Sequence, residues 1–413
     1  MISYREALRL IIAEAKPQPV QFVKRRNARG QVAATDLVAA IDIPPFDNSA
    51  MDGFALNSAL TQAADFPLTL PVGACLAAGD FPSAASAGSA VEIMTGAPIP
   101  AGCDTVVPIE QVETLRDDDG RTTAIRIGRA LAPGDNLRRA GEDFRAGQLL
   151  VAQGTRLHGG HLAALAAAGV EEVPVHLLPE VGAFATGKEV SDDYERPLAA
   201  GEIYNSNLPY LESELGAAGI PFAYAGNIGD DPALFADALQ ALPHARIVLS
   251  CGAVSKGRWD FIPELLQEGG ARIVFHGVAI KPGKPILFAV LEDGRYYFGL
   301  PGNPVATAVG LRFFVQPLIR ALLGMPEESF QRIRLVAPYR KKGELRHFLK
   351  ARLGSDVGGE AAEFGLSILD GQESFRISPM LAMNCWAIAE ENQNSLAPGD
   401  TLGVASRELF PAI

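Results

Sequence analysis

Cysteine is scarce and scattered in this chain. Cys75, Cys103, Cys251 and Cys385 are its four cysteines, and no Cys-x-x-Cys pair occurs. That argues against a disulfide framework or a cysteine zinc site and makes a reducing cytoplasm the expected compartment. No apolar run approaches the roughly 20 residues of a membrane helix. Basic residues are outnumbered, 36 Lys and Arg against 48 Asp and Glu, for a net charge of −12. A general binder of nucleic acid or of an anionic membrane is therefore not expected, and any anion site has to be built locally. His158-Gly-Gly-His161 resembles a metal pair but has no third ligand nearby, so a capping or loop role is expected.

What is present is an ordinary soluble composition, 48 % hydrophobic and 20 % charged over 413 residues, enough for several domains. Residues 2–15 carry Arg5, Glu6, Arg9 and Glu14 among apolar positions, which predicts an amphipathic helix rather than a signal peptide. A short helix over 34–41 is expected before Pro44-Pro45. From Phe46 to about Asp143 the texture is Gly, Pro and Ala with short apolar runs, the mark of a β-rich module. Runs at 149–151, 160–168 and 173–177 suggest a return to the first module. From 180 to 324, strand-like and helical stretches alternate, which predicts a doubly wound, mostly parallel sheet. Past Met325-Pro326, short runs with turn signals predict a small β-barrel or sandwich. The expected class is multidomain α/β and β. Residues 1–44 plus 145–178 form an N-terminal domain, 45–144 an inserted β-rich domain, 179–325 the α/β domain, and 326–413 the C-terminal barrel.

The α/β part centres on Leu249-Ser-Cys-Gly-Ala-Val-Ser-Lys-Gly-Arg-Trp-Asp260. An apolar strand precedes it and a helix is expected to start at Asp260, as N-cap or in the first turn. Small residues let the backbone approach a ligand, and free N–H groups at a helix start attract anions. Two further loops repeat the pattern, Lys281-Pro-Gly-Lys284-Pro285 and Gly299-Leu-Pro301-Gly302-Asn303-Pro. Three such loops at strand ends would converge on one edge of the sheet, where α/β folds bind ligands.

Carboxylates gather in similar loops: Asp52, Asp143, Glu189, Asp231 and Asp260. Two or more of them beside a phosphate-sized site suggest Mg²⁺ bridging protein and phosphate oxygens. Lys281 and Lys284 flank one turn and suit an oxyanion. Each has a plainer reading. Asp52-Gly53 is a common turn, Asp143 a solvated loop acid, Asp231 and Asp260 helix caps, and Lys281–Pro285 an exposed basic turn. Cys251 has no histidine near it in sequence and reads as a packed small residue, not a nucleophile. The concentration of these groups in strand-end loops is what favours a functional site.

Six stretches carry a resemblance: Asp47-Asn-Ser-Ala-Met-Asp-Gly-Phe-Ala, Met94-Thr-Gly-Ala-Pro-Ile-Pro, Gly141-Glu-Asp, Ser255-Lys-Gly-Arg-Trp-Asp260, Lys281-Pro-Gly-Lys-Pro and Gly299-Leu-Pro-Gly-Asn-Pro. In this order they resemble the MoeA/gephyrin E-domain family, the molybdopterin molybdenumtransferases, over essentially the whole chain. The resemblance implies an enzyme that inserts molybdenum from molybdate into adenylylated molybdopterin, with Mg²⁺-dependent release of AMP. It also implies a molybdopterin-binding α/β domain, a homodimer with a shared cleft, and other molybdenum cofactor synthesis proteins as partners. By resemblance, Ser250, Gly252, Ser255 and Asp260 lie at pterin and phosphate, and the Pro301-Gly302-Asn303 loop joins them. Lys281, Lys284 and Pro285 lie near molybdate. Glu189 and Asp231 belong to the acidic set, with Glu189 and Asp260 as metal ligands. Asp52, Thr95 and Asp143 come from the inserted domain, and Arg346 and Ser378 are oxyanion contacts. The family pattern Thr-Gly-Asp-Glu reads Thr186-Gly-Lys188-Glu189 here, which reverses one charge in the acidic set. Two other readings remain: a non-catalytic pterin-binding or scaffold relative of the same fold, and an unrelated nucleotide-binding α/β enzyme. The latter leaves 47–55 and 94–100 unaccounted for.

Overall fold

The computed structural model describes residues 1–62, 64–81, 84–254, 261–355 and 364–410. The first helix, Tyr4–Glu14, starts where the Ser3 hydroxyl accepts the Glu6 amide at 3.1 Å. It buries Tyr4, Ala7 and Ile11, three positions on one stripe. The sequence grouped this helix with residues 145–178. Its buried side chains lie instead in the α/β core, where the Tyr4 ring meets Phe313, Phe314 and Phe348 edge-on.

The return of the chain after the insertion is seen in two antiparallel pairings. Val20–Lys24 pairs with Glu172–His176, and Leu37–Val38 with Leu149–Val151. The helix expected over 34–41 does not form, because Leu37–Val38 is a strand there. A helix of that length is marginal by itself, and the pairing satisfies the same backbone groups with tertiary contacts added. Between these pairings lies a six-stranded sheet in the order Thr105–Pro108, Gly53–Leu56, Ala90–Ile93, Leu68–Leu76, Thr122–Ile127, Val112–Arg116. Apolar clusters cover it, one around Phe54 and Val107 and one around Ile93 and Val106.

The α/β sheet runs Phe222–Asn227, Val181–Ala185, Ile247–Cys251, Tyr296–Leu300, Leu287–Val290, Arg272–His276. The first four strands are mutually parallel; Leu287–Val290 is antiparallel to both its neighbours, so Arg272–His276 again runs in the direction of the first four. Ile247–Cys251 lies in the middle, and every residue of it is buried because helices cover both faces. Residues Pro304–Leu322 form the longest core helix, with a π turn at Leu311–Val315. It is apolar and long enough to span a membrane by composition, but 83 % of it is buried inside the protein.

The C-terminal sheet contains Arg346–Gly354, Cys385–Ala389, Thr401–Ser406 and Gln331–Arg334. A short strand from the α/β part, Ile280–Lys281, joins its edge beside Arg346–His347. The lysine loop is thereby fixed to both modules at once.

Candidate functional site

The loops that leave the three central parallel strands do converge. They line a cleft of about 850 Å³ together with the 281–285 turn. Its floor comes from residues 185–190, 251–254 and 301–303, one loop per strand.

The local geometry follows from small residues under close constraint. Gly252 has φ +112° and its amide bonds the Leu300 carbonyl at 2.9 Å. A Cβ there would stand 2.3 Å from the Thr186 hydroxyl oxygen, so no other residue fits without moving the loop. Gly187 has φ +109°, and a Cβ there would lie 2.7 Å from both Glu189 carboxylate oxygens. The Thr307 hydroxyl donates to the Pro301 carbonyl at 2.8 Å. Asn205, one residue ahead of the N-cap Ser206, satisfies the first amides of the Asn207–Ala218 helix, its Oδ1 accepting those of Asn207 and Leu208 at 3.1 Å each. Asn207 Nδ2 then donates to the Gly302 carbonyl at 2.9 Å, while its buried Oδ1 has no hydrogen-bond partner among the described residues. Both asparagines line the cleft.

Charge in the cleft is mixed. Lys188, Lys281 and Lys284 bring cations, Glu189 and Asp230 carboxylates, and none is in an ion pair among the described residues. Buried His347 stands opposite Lys281 in the strand pairing; burial, Lys281 and Lys341 push its pKa down to about 4. It is neutral at pH 7 and leaves the positive charge to the lysines. Burial pushes the Cys251 thiol up to about 12, so it is not a thiolate nucleophile at neutral pH.

Gly252, Lys281, Lys284, Pro285, Pro301, Gly302, Asn303 and Glu189 all lie on the cleft wall. Ser255 and Asp260 lie outside the described residues; the helix behind them starts at Ile262 with Phe261 as its N-cap. Four expectations are corrected. Ser250 is fully buried, under the floor rather than on it. Strand alternation puts it on the face of Val248, away from that of Leu249 and Cys251. Asp231 caps the Pro232–Leu234 turn, accepting the Ala233 amide at 3.0 Å, and its neighbour Asp230 lines the cleft. Arg346 is buried against Glu391, two contacts at 3.2 Å, with its guanidinium 5.1 Å from the Tyr4 ring centre. Ser378 opens an exposed turn, Ser378–Leu381, while Gln372 and Ser374 reach the cleft in its place.

Asp52, Thr95 and Asp143 are exposed on the inserted module or its flank and do not line this cleft. Asp52 accepts the Thr95 amide and hydroxyl at 2.7 and 2.8 Å, which hold its carboxyl below the ordinary range. The two histidines do cap: His158 Nδ1 accepts the Gly160 amide at 3.1 Å, and His161 Nδ1 the His158 amide at 3.3 Å. Sequence reading missed Asn207, Gln372 and Ser374; Asn205 and Asp230 left a trace only as polar residues at helix starts, ahead of Asn207–Ala218 and Pro232–Leu234, not as cleft residues.

Fold and cleft define a multidomain α/β protein with a ligand site at the strand ends of its central sheet. Residues 2–169 match the family model described as MoeA N-terminal region (domain I and II), and residues 182–321 the probable molybdopterin binding domain. The molybdopterin molybdenumtransferase of Synechococcus elongatus is 36 % identical, with 98 % of this chain and 100 % of that protein aligned. That of Haemophilus influenzae is 33 % identical over 94 % of each. The crystal structure of the molybdopterin biosynthesis MoeA protein of Pyrococcus horikoshii superposes with a TM-score of 0.82 at 27 % identity, covering 99 % of both chains. This chain belongs to the molybdopterin molybdenumtransferase (MoeA) family, a family of transferases in molybdenum cofactor biosynthesis.

Proposed function

We propose that the cleft binds adenylylated molybdopterin and molybdate, and that the protein transfers molybdenum to the pterin's dithiolene with release of AMP. The observation that carries this is the convergence of Lys281 and Lys284 with Glu189, Asp230 and the small-residue strand-end loops in one 850 Å³ space. Two lysines on one turn repel unless an anion lies between them, and the protein around them is acidic. They suit molybdate as a compact oxyanion. Gly252 and the Pro301–Asn303 loop offer close backbone approach to a phosphate. Ser255 and Asp260 join them by family resemblance.

Mg²⁺ fits this reading. Among the described residues no cluster of three acidic, histidine or cysteine side chains is found. Mg²⁺ commonly takes one or two carboxylates, several waters and the oxygens of a bound phosphate. Glu189 and Asp230 supply that number, with Asp260 expected beside them. When bound, the ion would neutralise phosphate charge as the AMP bond breaks. Glu189 and Asp230 would hold it and the lysines the oxyanion, while the Asn207 side chain fixes the Gly302 carbonyl by its hydrogen bond. Asp52, Thr95 and Asp143 would then serve the cleft of a second copy in a homodimer. A cytoplasmic location suits the free cysteines.

The test is AMP release from adenylylated molybdopterin by the purified protein on adding molybdate and Mg²⁺. Release that needs both is expected. A folded protein that binds the pterin and releases nothing would overturn the transferase reading in favour of a scaffold.

A further inference from the structure

The C-terminal wall of the cleft is an irregular segment, residues 369–376, from which Gln372 and Ser374 reach the ligand space. Such a segment cannot satisfy its own carbonyls and needs outside donors. One side chain supplies three. Lys350, fully buried on the Arg346–Gly354 strand, donates from Nζ to the carbonyls of Gly371 at 2.7 Å, Arg376 at 3.0 Å and Glu373 at 3.3 Å. Gln372 ties the same strand from the other side. Its Oε1 accepts the Lys350 amide at 3.0 Å, and its Nε2 donates to the carbonyls of Leu369 at 2.7 Å and Lys350 at 2.9 Å.

The far end of the segment touches the α/β module. The Ser374 carbonyl accepts the Val305 amide at 3.1 Å, at the start of the Pro304–Leu322 helix and two residues past Asn303. Backbone contacts thus run from Lys350 through 371–376 to the loop that forms the cleft floor. Burying an ammonium is costly, and Lys350 has no carboxylate within ion-pair range among the described residues, so its three carbonyl bonds have to offset that cost.

We propose that Lys350 is a positioning residue for the binding cleft: by clamping residues 371–376 it places Ser374 against both the ligand space and the Val305 amide, and so sets the cleft's C-terminal wall. The choice of ligand in the test rests on the proposed transferase function; the clamp itself does not.

Burial lowers the Lys350 pKa to about 8, against the pull of the Glu373 carboxylate and with the push of Arg376. The strand paired on its other side presents uncharged Trp386 opposite Lys350. A neutral amine has two N–H donors where the ammonium has three, so above pH 8 one carbonyl loses its bond.

The deciding experiment is hydrogen exchange on the full chain, corrected for intrinsic rates, across a range of about pH 6.5–9.5 that brackets this pKa. Wild type, Lys350→Arg and Lys350→Met are compared, with KM for adenylylated molybdopterin measured in parallel. In the wild type, protection of the Val305 amide and of residues 371–376 should fall about tenfold as pH passes 8, the loss expected for one charge-assisted bond. KM should rise with the same midpoint. Lys350→Arg, which does not titrate, should flatten both curves. Lys350→Met should lack the protection throughout. Superimposable wild-type and Lys350→Arg profiles overturn the clamp, as does a folded Lys350→Met with wild-type protection. If Lys350→Met fails to fold, the arginine variant alone decides. Protection that moves while KM stays fixed overturns the positioning role. Protection that moves with no AMP release from any variant supports the clamp and overturns the transferase reading instead.

Discussion

Lys188 and Glu189 sit side by side in the loop after Val181–Ala185, exposed on the cleft wall with opposite charges. The Glu189 carboxylate folds back over Gly187, which has no Cβ to block it. If Glu189 holds Mg²⁺, an ammonium on the adjacent residue either turns outward or replaces part of the cation's task by facing phosphate itself. The second case predicts that Lys188→Asp increases the Mg²⁺ requirement of AMP release; titration curves identical to wild type would show Lys188 to be a bystander. At Gly252 the outcome is sterically determined. A Cβ 2.3 Å from the Thr186 hydroxyl at φ +112° forces that side chain and the loop to shift, so Gly252→Ala should lower kcat/KM for adenylylated molybdopterin about a hundredfold while circular dichroism stays near wild type. Wild-type kcat/KM would remove this loop from the site. Residues of this kind, Gly252, Lys281, Lys284 and Pro301–Asn303, are legible because their spacing after a strand fixes where they must lie. Arg346 misled because its partner, Glu391, is 45 positions away in sequence. Ser250 misled for a local reason: the strand runs through Cys251, so its side chain obeys strand alternation and not loop geometry.

Whole elements show the same division. The parallel sheet was legible because its strands are continuous apolar runs closed by small-residue loops, a pattern no amphipathic helix shares. The expected helix at 34–41 failed because a short stretch follows its partners, and its partner strand lies about a hundred residues later across the insertion. The cleft contribution of residues 369–376 left no sequence signal at all, since it depends on Lys350 and on the Val305 amide rather than on any periodicity. In the inserted sheet, Gly53 shows how closely two strands approach. A Cβ there would stand 2.1 Å from the Val107 carbonyl oxygen, next to the Asp52–Thr95 pair. Gly53→Ala should therefore destabilise the inserted module by about 1–3 kcal/mol, the range for overpacking a tight contact. Thermal unfolding should show a lowered transition for that module, and an unchanged transition would mean the sheet can slide to make room.

At the scale of the molecule, the N-terminal module exposes apolar side chains where a solvated sheet would be polar. Along Val20–Lys24 the outward positions are Val20, Phe22 and Lys24, and Phe22 is 70 % exposed. Leu177 lies beside them, its amide bonded to the Pro19 carbonyl. Leu149 and Val38, paired across the other two-stranded ribbon, are exposed as well. Single exposed apolar residues are ordinary, but paired strands that turn several outward mark an interaction face. The proposed homodimer would also give a purpose to Asp52, Thr95 and Asp143, which do not line the cleft of their own protomer among the described residues. A twofold axis would bring each inserted module toward the other copy's cleft, and both clefts would be completed by one contact. Light scattering at micromolar concentration should then give twice the 43.7 kDa of one chain. Phe22→Asp would place a carboxylate in that contact, and it should shift the mass toward the monomer and lower AMP release in parallel, with the fold kept. A wild-type mass of 43.7 kDa would refute the dimer. A dimer that survives Phe22→Asp intact would move the contact to another face and leave the exposed ribbon for a different partner.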